Sequence, residues 1–302
     1  MDSHESNRSA QLIDDLDAAI AWMRSLGVKV DAGRLAAYRK MAEKWDDVVG
    51  GRGKLGVREL APIIATFAYD VMAFTEIHRA FRAVAQNAPG DLIAQLSLAA
   101  RGPVRIDDAR CTGPRPARDA LFRARTAAYL QQATGAALFG SAGSAGNTGF
   151  ALGRHYLHVV PDRLQPAEDI AAGITATCVR MLTALDSRPG PRNRGLVALD
   201  ASALITPAGQ VPPMLARSVM VDAADHRLAR FIDEQMDVVQ NSLRRLDRRI
   251  IGLMLMSSSV AVADDDRAFV PVDRWVLVWR ENINISDFDL LDRLRGLLRG
   301  ER

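Results

Sequence analysis

Three acidic residues in the second half of the chain have the type and placement needed to hold a divalent metal ion. Asp200 ends the apolar run VALD, where enzymes built on parallel sheets often carry functional groups. Asp162 and Glu168 lie in a loop and at a predicted helix start. Carboxylates of this kind bind Mg²⁺, which can activate water for hydrolysis. Each also has a structural explanation: Asp200 would cap the turn Asp-Ala-Ser, and the other two would complement a helix dipole.

A glycine-rich segment raises the alternative of a phosphate-binding loop. Its glycines, at 140, 143, 146 and 149, follow the pattern GxxGxxGxxG. A Walker A loop needs GxxxxGK[ST], and a Rossmann fingerprint needs GxGxxG between a strand and a helix. All four lysines (29, 40, 44 and 54) precede this segment, and the strand-like sequence RHYLHVV follows it. We therefore predict a flexible connection between two strands.

Other polar residues give weaker signals. His155 and His158, three apart on a predicted strand, would point to opposite faces and could not easily share a zinc ion, whereas in a helix they could. Ser257–Ser259 lack a GxSxG elbow, and Asp264–Asp266 lack the EF-hand pattern, so both are predicted at turns or strand ends. The sequence therefore predicts no resident metal or cofactor.

Arginine supplies the positive charge in most of the chain. Nine arginines and four acids lie between Arg101 and Arg163. Because a guanidinium group binds phosphate well, these arginines could contact DNA or RNA. The predicted nucleic-acid-binding residues are Arg115, Arg118, Arg123, Arg125, Arg154 and Arg163. The segment LRRLDRR adds four more (244, 245, 248 and 249) near a predicted helix end, where the helix dipole also favours arginine.

Composition indicates a globular protein with a substantial core. The 302 residues are 48% hydrophobic and carry a formal net charge of +3. The N-terminal sequence lacks an apolar targeting segment, and no apolar run reaches membrane-spanning length, so we expect a cytoplasmic protein without a membrane partner. Cys111 and Cys178 have no CxxC partner and are predicted to be reduced thiols.

The apolar spacing divides the chain into two parts. Helices are predicted over 9–26, 31–49, 57–85 and 89–100, followed by a proline- and glycine-rich boundary at 101–116. Strands and helices then alternate. We predict a helical N-terminal region over 1–112 and an α/β domain over 113–302, with a mixed sheet flanked by helices.

The order of elements after residue 117 carries a family resemblance. The helix ARDALFRARTAAYLQQAT, a short strand and loop, the strand RHYLHVV, the helix PAEDIAAGITATCVRML and the segment RGLVALDASALITPAG follow one another. Over residues 117–209 this resembles uncharacterised bacterial proteins with a restriction-endonuclease-like, PD-(D/E)XK type core. The resemblance implies such a core here. In an active member of that family, the first helix carries a glutamate, the loop after the first strand carries an acid, and the next strand ends in ECK.

The residues that would carry this chemistry are absent from the matching positions. Arg123 stands at the place of the helix glutamate, 144–148 has no carboxylate, and Val159–Pro161 replaces ECK. No Asp, Glu or Lys occurs anywhere in 120–161. The resemblance therefore implies a catalytically degenerate nuclease fold, a noncatalytic binding or regulatory component in genome defence or nucleic-acid handling. The alternatives are a Mg²⁺-dependent nuclease with relocated acids (Asp200, Glu168) and a module that binds a protein partner.

Overall fold

The computed structural model describes most of the chain. The described residues are 3–31, 33–49, 51, 57–83, 90–101, 116–135, 138–139, 148–164, 170–187, 189–205, 216–262 and 269–299. Outside them lie the predicted domain boundary, Cys111, Arg115, glycines 140, 143 and 146, Glu168 and Asp264–Asp266.

Four helices form the N-terminal part, which confirms the predicted helical region. They are α1 (Ser3–Ser25), α2 (Arg34–Val49), α3 (Val57–Phe81) and α4 (Gly90–Ala100). Their apolar faces share one core cluster. Its members include Leu16, Met23, Trp45, Phe74 and Leu96, each at most 2% exposed. Because isolated helices of this length are marginally stable in water, the shared core holds them in place.

One ion pair is buried inside this helical core. Arg34 and Asp70 are each 1% exposed and contact each other, and the Tyr38 hydroxyl donates to the same carboxylate at 2.7 Å. The second terminal nitrogen of Arg34 donates to the carbonyl oxygen of Ala99 at 2.9 Å. The pair is therefore hydrogen-bonded on several sides, as buried charges require.

Helix α5 (Pro116–Thr134) joins the helical part to the sheet. Its small residues Ala120, Ala124 and Ala128 belong to the N-terminal core, whereas Phe122 and Leu130 pack in a cluster with sheet residues. Alanine side chains let the neighbouring helices approach α5 closely. The same helix consequently contributes one face to each core.

Within the described residues, six strands form one mixed sheet in the order β1-β2-β3-β4-β5-β6. The strands are β1 (Leu138–Phe139), β2 (Thr148–Leu152), β3 (His155–Arg163), β4 (Asn193–Asp200), β5 (Ile250–Val262) and β6 (Phe269–Trp279). The remaining helices are α6 (Ile170–Ser187), α7 (Ser202–Ile205), α8 (Arg217–Arg244) and α9 (Ile285–Arg299). Strands β3, β4 and β5 are parallel, and the other pairings are antiparallel. The carboxyl ends of the parallel strands therefore share one edge of the sheet.

Alternating side chains bury both faces of this sheet. In β4, Val197 and Leu199 pack in a cluster with α6 and α8, while Leu196 and Ala198 pack with α5 and α9. A strand covered on both sides reads as a continuous apolar run, which is how LVAL appears in the sequence. The mixed sheet flanked by helices is thus confirmed.

Strand β2 is missing from the sequence prediction, which assigns residues 140–149 to a glycine-rich connection. The sequence also predicts that a strand rather than a helix follows Gly149, and this prediction is confirmed. Phe150 of β2 is fully buried, and a Cβ on Gly149 would lie 2.5 Å from the Tyr156 hydroxyl of β3. Strand β2 depends on this packing against β3. The strand propensities of its own residues do not include such packing, so the sequence prediction misses the strand.

Gly252 should tolerate no side chain. A Cβ there would lie 2.6 Å from the carbonyl oxygen of Val278 and 3.2 Å from the Cα of Trp279, both backbone atoms of β6. We expect Gly252→Ala to force β5 and β6 apart and to lower the free energy of unfolding by about 1–3 kcal/mol. Chemical denaturation measures this loss.

The matched control is Gly190→Ala. A Cβ at Gly190 meets nothing closer than 3.6 Å, which is an ordinary contact. We expect the control to change the free energy of unfolding by less than about 0.5 kcal/mol. Equal losses in the two variants would contradict the packing argument.

Candidate functional site at the carboxyl ends of the parallel strands

Charged residues meet where β3 and β4 end. Arg163 is the last residue of β3 and pairs in register with Asp200, the last residue of β4. Asp162 precedes Arg163, and Asp119 of α5 approaches from the adjoining face. The structure therefore brings two of the three predicted acids, Asp162 and Asp200, to one edge of the sheet.

Asp200 is occupied on both carboxylate oxygens. Its Oδ2 accepts from Nε of Arg163 at 2.9 Å, and its Oδ1 accepts from the backbone N–H of Ser202 at 2.9 Å and from the Ser202 hydroxyl. Asp200 is 4% exposed. The predicted turn cap, Asp-Ala-Ser, is confirmed, and Asp200 is at the same time the partner of a buried arginine.

Arg163 is buried between two carboxylates. Burial alone would lower the pKa of Arg163, but the charge of Asp200 and its hydrogen bond raise that pKa above its ordinary value. A terminal nitrogen, Nη1, lies 3.8 Å from Oδ1 of Asp119. Neither of these two atoms has a hydrogen-bond partner in the described part of the chain.

Asp162 is also held by neighbouring donors. The Thr177 hydroxyl of α6 donates to its Oδ2 at 2.9 Å, and Arg180 forms an ion pair with the same oxygen. The backbone N–H of Arg163 donates to the other oxygen at 2.9 Å. Asp162 therefore anchors helix α6 to the end of β3 and does not face an open cleft lined by carboxylates.

Two half-buried charges complete the cluster. Burial raises the pKa of Asp119 above its ordinary value, and the nearby charges of Arg163 and Arg123 lower it only in part. Burial and the charge of Arg180 lower the pKa of Arg123. Among described residues, three aspartates (119, 162, 200) thus face three arginines (123, 163, 180).

A second polar network adjoins the first through two serines. The Ser258 backbone N–H donates to the Ser202 hydroxyl at 2.8 Å, and the Ser258 hydroxyl accepts from Arg125 at 3.3 Å. Arg125 also donates to Glu76 at 2.7 Å and contacts Asp273. Its guanidinium carbon lies 4.8 Å from the centroid of the Tyr69 ring. These contacts tie α3 and α5 to β5 and β6.

These environments limit what the site can do chemically. A hard divalent ion needs several carboxylate or carbonyl oxygens turned toward one point. Both oxygens of Asp162 and of Asp200 already accept hydrogen bonds. Within the described ranges, no group of three His, Cys, Asp or Glu side chains could hold a metal ion.

The predicted nucleic-acid-binding arginines are scattered. Arg125 and Arg163 require correction, because their side chains are only 6% and 13% exposed and their guanidinium groups already contact carboxylates. Arg118 and Arg123 are half-buried on α5. Arg154 is exposed at the opposite edge of the sheet, in the turn between β2 and β3.

The remaining candidate residues from the sequence lie in packed or hydrogen-bonded positions and do not assemble a second site. His158 is 1% exposed beside Tyr156, while Nε2 of His155 lies 3.1 Å from the Ser286 hydroxyl, so the two histidines do not converge. Ser257–Ser259 lie within β5, so the prediction of a turn or strand end is wrong there. Cys178 is a buried free thiol on α6.

Comparisons with protein-family models, with curated proteins and with solved structures gave no match. Of the helices in the described ranges, none is long and apolar enough to span a membrane.

Asp119→Asn should stabilise the protein at neutral pH. Because burial holds the pKa of Asp119 above its ordinary value of 3.8, the ionised form costs the folded state free energy relative to the unfolded chain. The cost grows as the pH rises from 3.8, the ordinary pKa, to the raised pKa of Asp119 in the folded protein. Above that raised pKa the cost is constant. Denaturation at several pH values should find the variant more stable at pH 7 and equal to the unsubstituted protein in acid. A less stable variant at pH 7 would mean that the Arg163 contact outweighs burial.

Proposed function

We propose that the protein is a noncatalytic binding or regulatory component built on a restriction-endonuclease-like core. The succession of elements behind the resemblance corresponds to α5, β1, β3, α6 and β4, with β2 added before β3. This succession, together with the parallel pairing of β3 and β4, supports the proposed core. The resemblance suggests genome defence or nucleic-acid handling as its setting.

The observation that carries the proposal is the position of Arg163. Its guanidinium group lies between the carboxylates of Asp200 and Asp119, 2.9 Å from one and 3.8 Å from the other. In a nuclease of this fold class, carboxylates at a strand end would be free to hold a metal ion. Here an arginine occupies the space between them and offsets part of their negative charge.

Displacing this arginine would be costly. A metal ion could bind Asp200 only if the buried guanidinium lost its partner, and a buried charge left unpaired costs about 3–5 kcal/mol. The Ser202 donors would also need to give up Oδ1 of Asp200. The balance therefore favours the arginine-bound state over a metal-bound one.

Incubation of the purified chain with DNA and RNA, in MgCl₂ or MnCl₂, tests the proposal. We expect no cleavage. In MgCl₂ or MnCl₂ without nucleic acid we also expect no rise in the thermal unfolding midpoint beyond that in NaCl of matched ionic strength, because a metal ion that binds the folded state would raise it. Asp200→Ala and Glu168→Ala are the control variants. Cleavage that is lost in either variant would contradict the proposal and support the Mg²⁺-dependent nuclease with relocated acids.

A further inference from the structure

The opposite edge of the sheet carries a very different distribution of charge. Arg154 precedes β3, Arg192 and Arg194 flank the first residue of β4, and Arg248 and Arg249 precede β5. The backbone pairs confirm that these residues are neighbours. The N–H of Tyr156 donates to the carbonyl of Arg192 at 3.1 Å, and that of Gly195 donates to the carbonyl of Arg249 at 2.8 Å.

The end of strand β6 and the end of helix α8 add further arginines to this row along the sheet edge. Arg280 directly follows β6, and its backbone N–H donates to the carbonyl of Ile251 at the start of β5. Its guanidinium group donates to the carbonyl oxygens of Leu243 at 2.7 Å and Leu246 at 3.2 Å, where α8 ends. We call the whole set the amino-edge surface. It consists of Arg154, Arg192, Arg194, Arg244, Arg245, Arg248, Arg249 and Arg280, with the acids Asp186, Asp247, Glu281 and Asp287 among them.

The acids of the amino-edge surface pair with three of its arginines. Arg194 contacts Asp287 at 2.5 Å, and Arg244 forms an ion pair with Glu281. The remaining acids, at 186 and 247, both bind Arg249. Eight arginines therefore meet four carboxylates, and five arginines have no carboxylate partner among the described residues.

Three of those five arginines are exposed and have no side-chain partner in the described part of the protein: Arg192, Arg245 and Arg248. A fourth, Arg154, donates to the neutral Ser286 hydroxyl at 2.6 Å and to no other side chain of the described residues. The cations also crowd one another. The pKa of His155 is lowered by burial and then by Arg194, and the pKa of Arg280 is lowered by burial and by Arg248.

We infer that the amino-edge surface binds the phosphodiester backbone of a nucleic acid. The inference rests on the proposed function and extends it, because it assigns the ligand to the edge opposite the arginine–aspartate cluster. The row of arginines runs along the ends of the four neighbouring strands β3, β4, β5 and β6. Adjacent strands lie about 4.8 Å apart, so three spacings make the row roughly 14 Å long. A single small anion could not contact cations spread over that length. One strand of duplex DNA carries a phosphate about every 3.4 Å along its axis, so the row could face about four of them.

Guanidinium chemistry and the scarcity of aromatic residues define the kind of binding. Arginine makes paired hydrogen bonds to phosphate oxygens, which position a backbone without reading its sequence. Only 6% of the residues are aromatic, so stacking on bases contributes little. Binding should therefore be sequence-independent and should weaken steeply as salt rises.

Fluorescence anisotropy with labelled duplex DNA, the same sequence as a single strand, and RNA tests this inference on the full chain. The test variant is Arg192→Glu/Arg248→Glu, which changes two exposed residues without side-chain partners. The matched control is Arg82→Glu/Arg227→Glu, two exposed arginines outside the amino-edge surface with the same change in net charge. Thermal unfolding checks that both variants fold.

We expect the test variant to lose affinity about tenfold or more at low salt and to show a shallower salt dependence, while the control changes affinity by about twofold or less. Preference for duplex or single strand identifies the form of the ligand. Equal losses in both variants, equally good competition by polyglutamate, or no binding at low salt would overturn the inference. Each of these results leaves the cleavage test of the proposed function unaffected.

Discussion

The ion pair between Arg163 and Asp200 connects helix α5 with three strands at the carboxyl edge of the sheet. It joins the last residues of β3 and β4, reaches α5 through Asp119, and reaches β5 through the Ser202 and Ser258 hydrogen bonds. Buried ion pairs gain little over apolar packing when complete, but they are expensive to break once formed. The arrangement therefore holds its charges in place and leaves Asp200 with no free oxygen to offer a metal ion.

The two edges of the sheet differ in how their charges are satisfied. At the carboxyl edge, three described aspartates and three described arginines balance, and Arg163 is enclosed with its partner. At the amino-edge surface, arginines outnumber acids two to one, and Arg192 and Arg248 project from exposed positions. Because the whole chain has a net charge of only +3, this surplus is a local property rather than a reflection of overall composition. With this distribution of charge, the amino-edge surface would bind a ligand and the carboxyl edge would stay rigid.

The sequence predicts the element types well because they follow from apolar periodicity. The N-terminal helices, the buried strand ending at Asp200 and its turn cap all follow from local patterns. Local patterns miss β2, which depends on Gly149 packing beneath Tyr156. They also misplace Arg125 as a surface residue, because its carboxylate partners, Glu76 and Asp273, are distant in sequence. The sequence also singles out five arginines of the amino-edge surface (154, 244, 245, 248 and 249) but not their convergence, since parallel pairing brings together arginines from separate segments.

A double-mutant cycle on Arg163 and Asp200 tests the central claim most directly. The variants are Arg163→Met, Asp200→Asn and the combination, and the measured quantity is the free energy of unfolding. Each single substitution leaves one buried group without its partner and should cost about 3–5 kcal/mol. The combined variant should cost less than the sum of the two, with a coupling of about 1–3 kcal/mol. Additive losses would mean that the two side chains do not depend on each other, which would contradict the claim that Arg163 holds Asp200 in place.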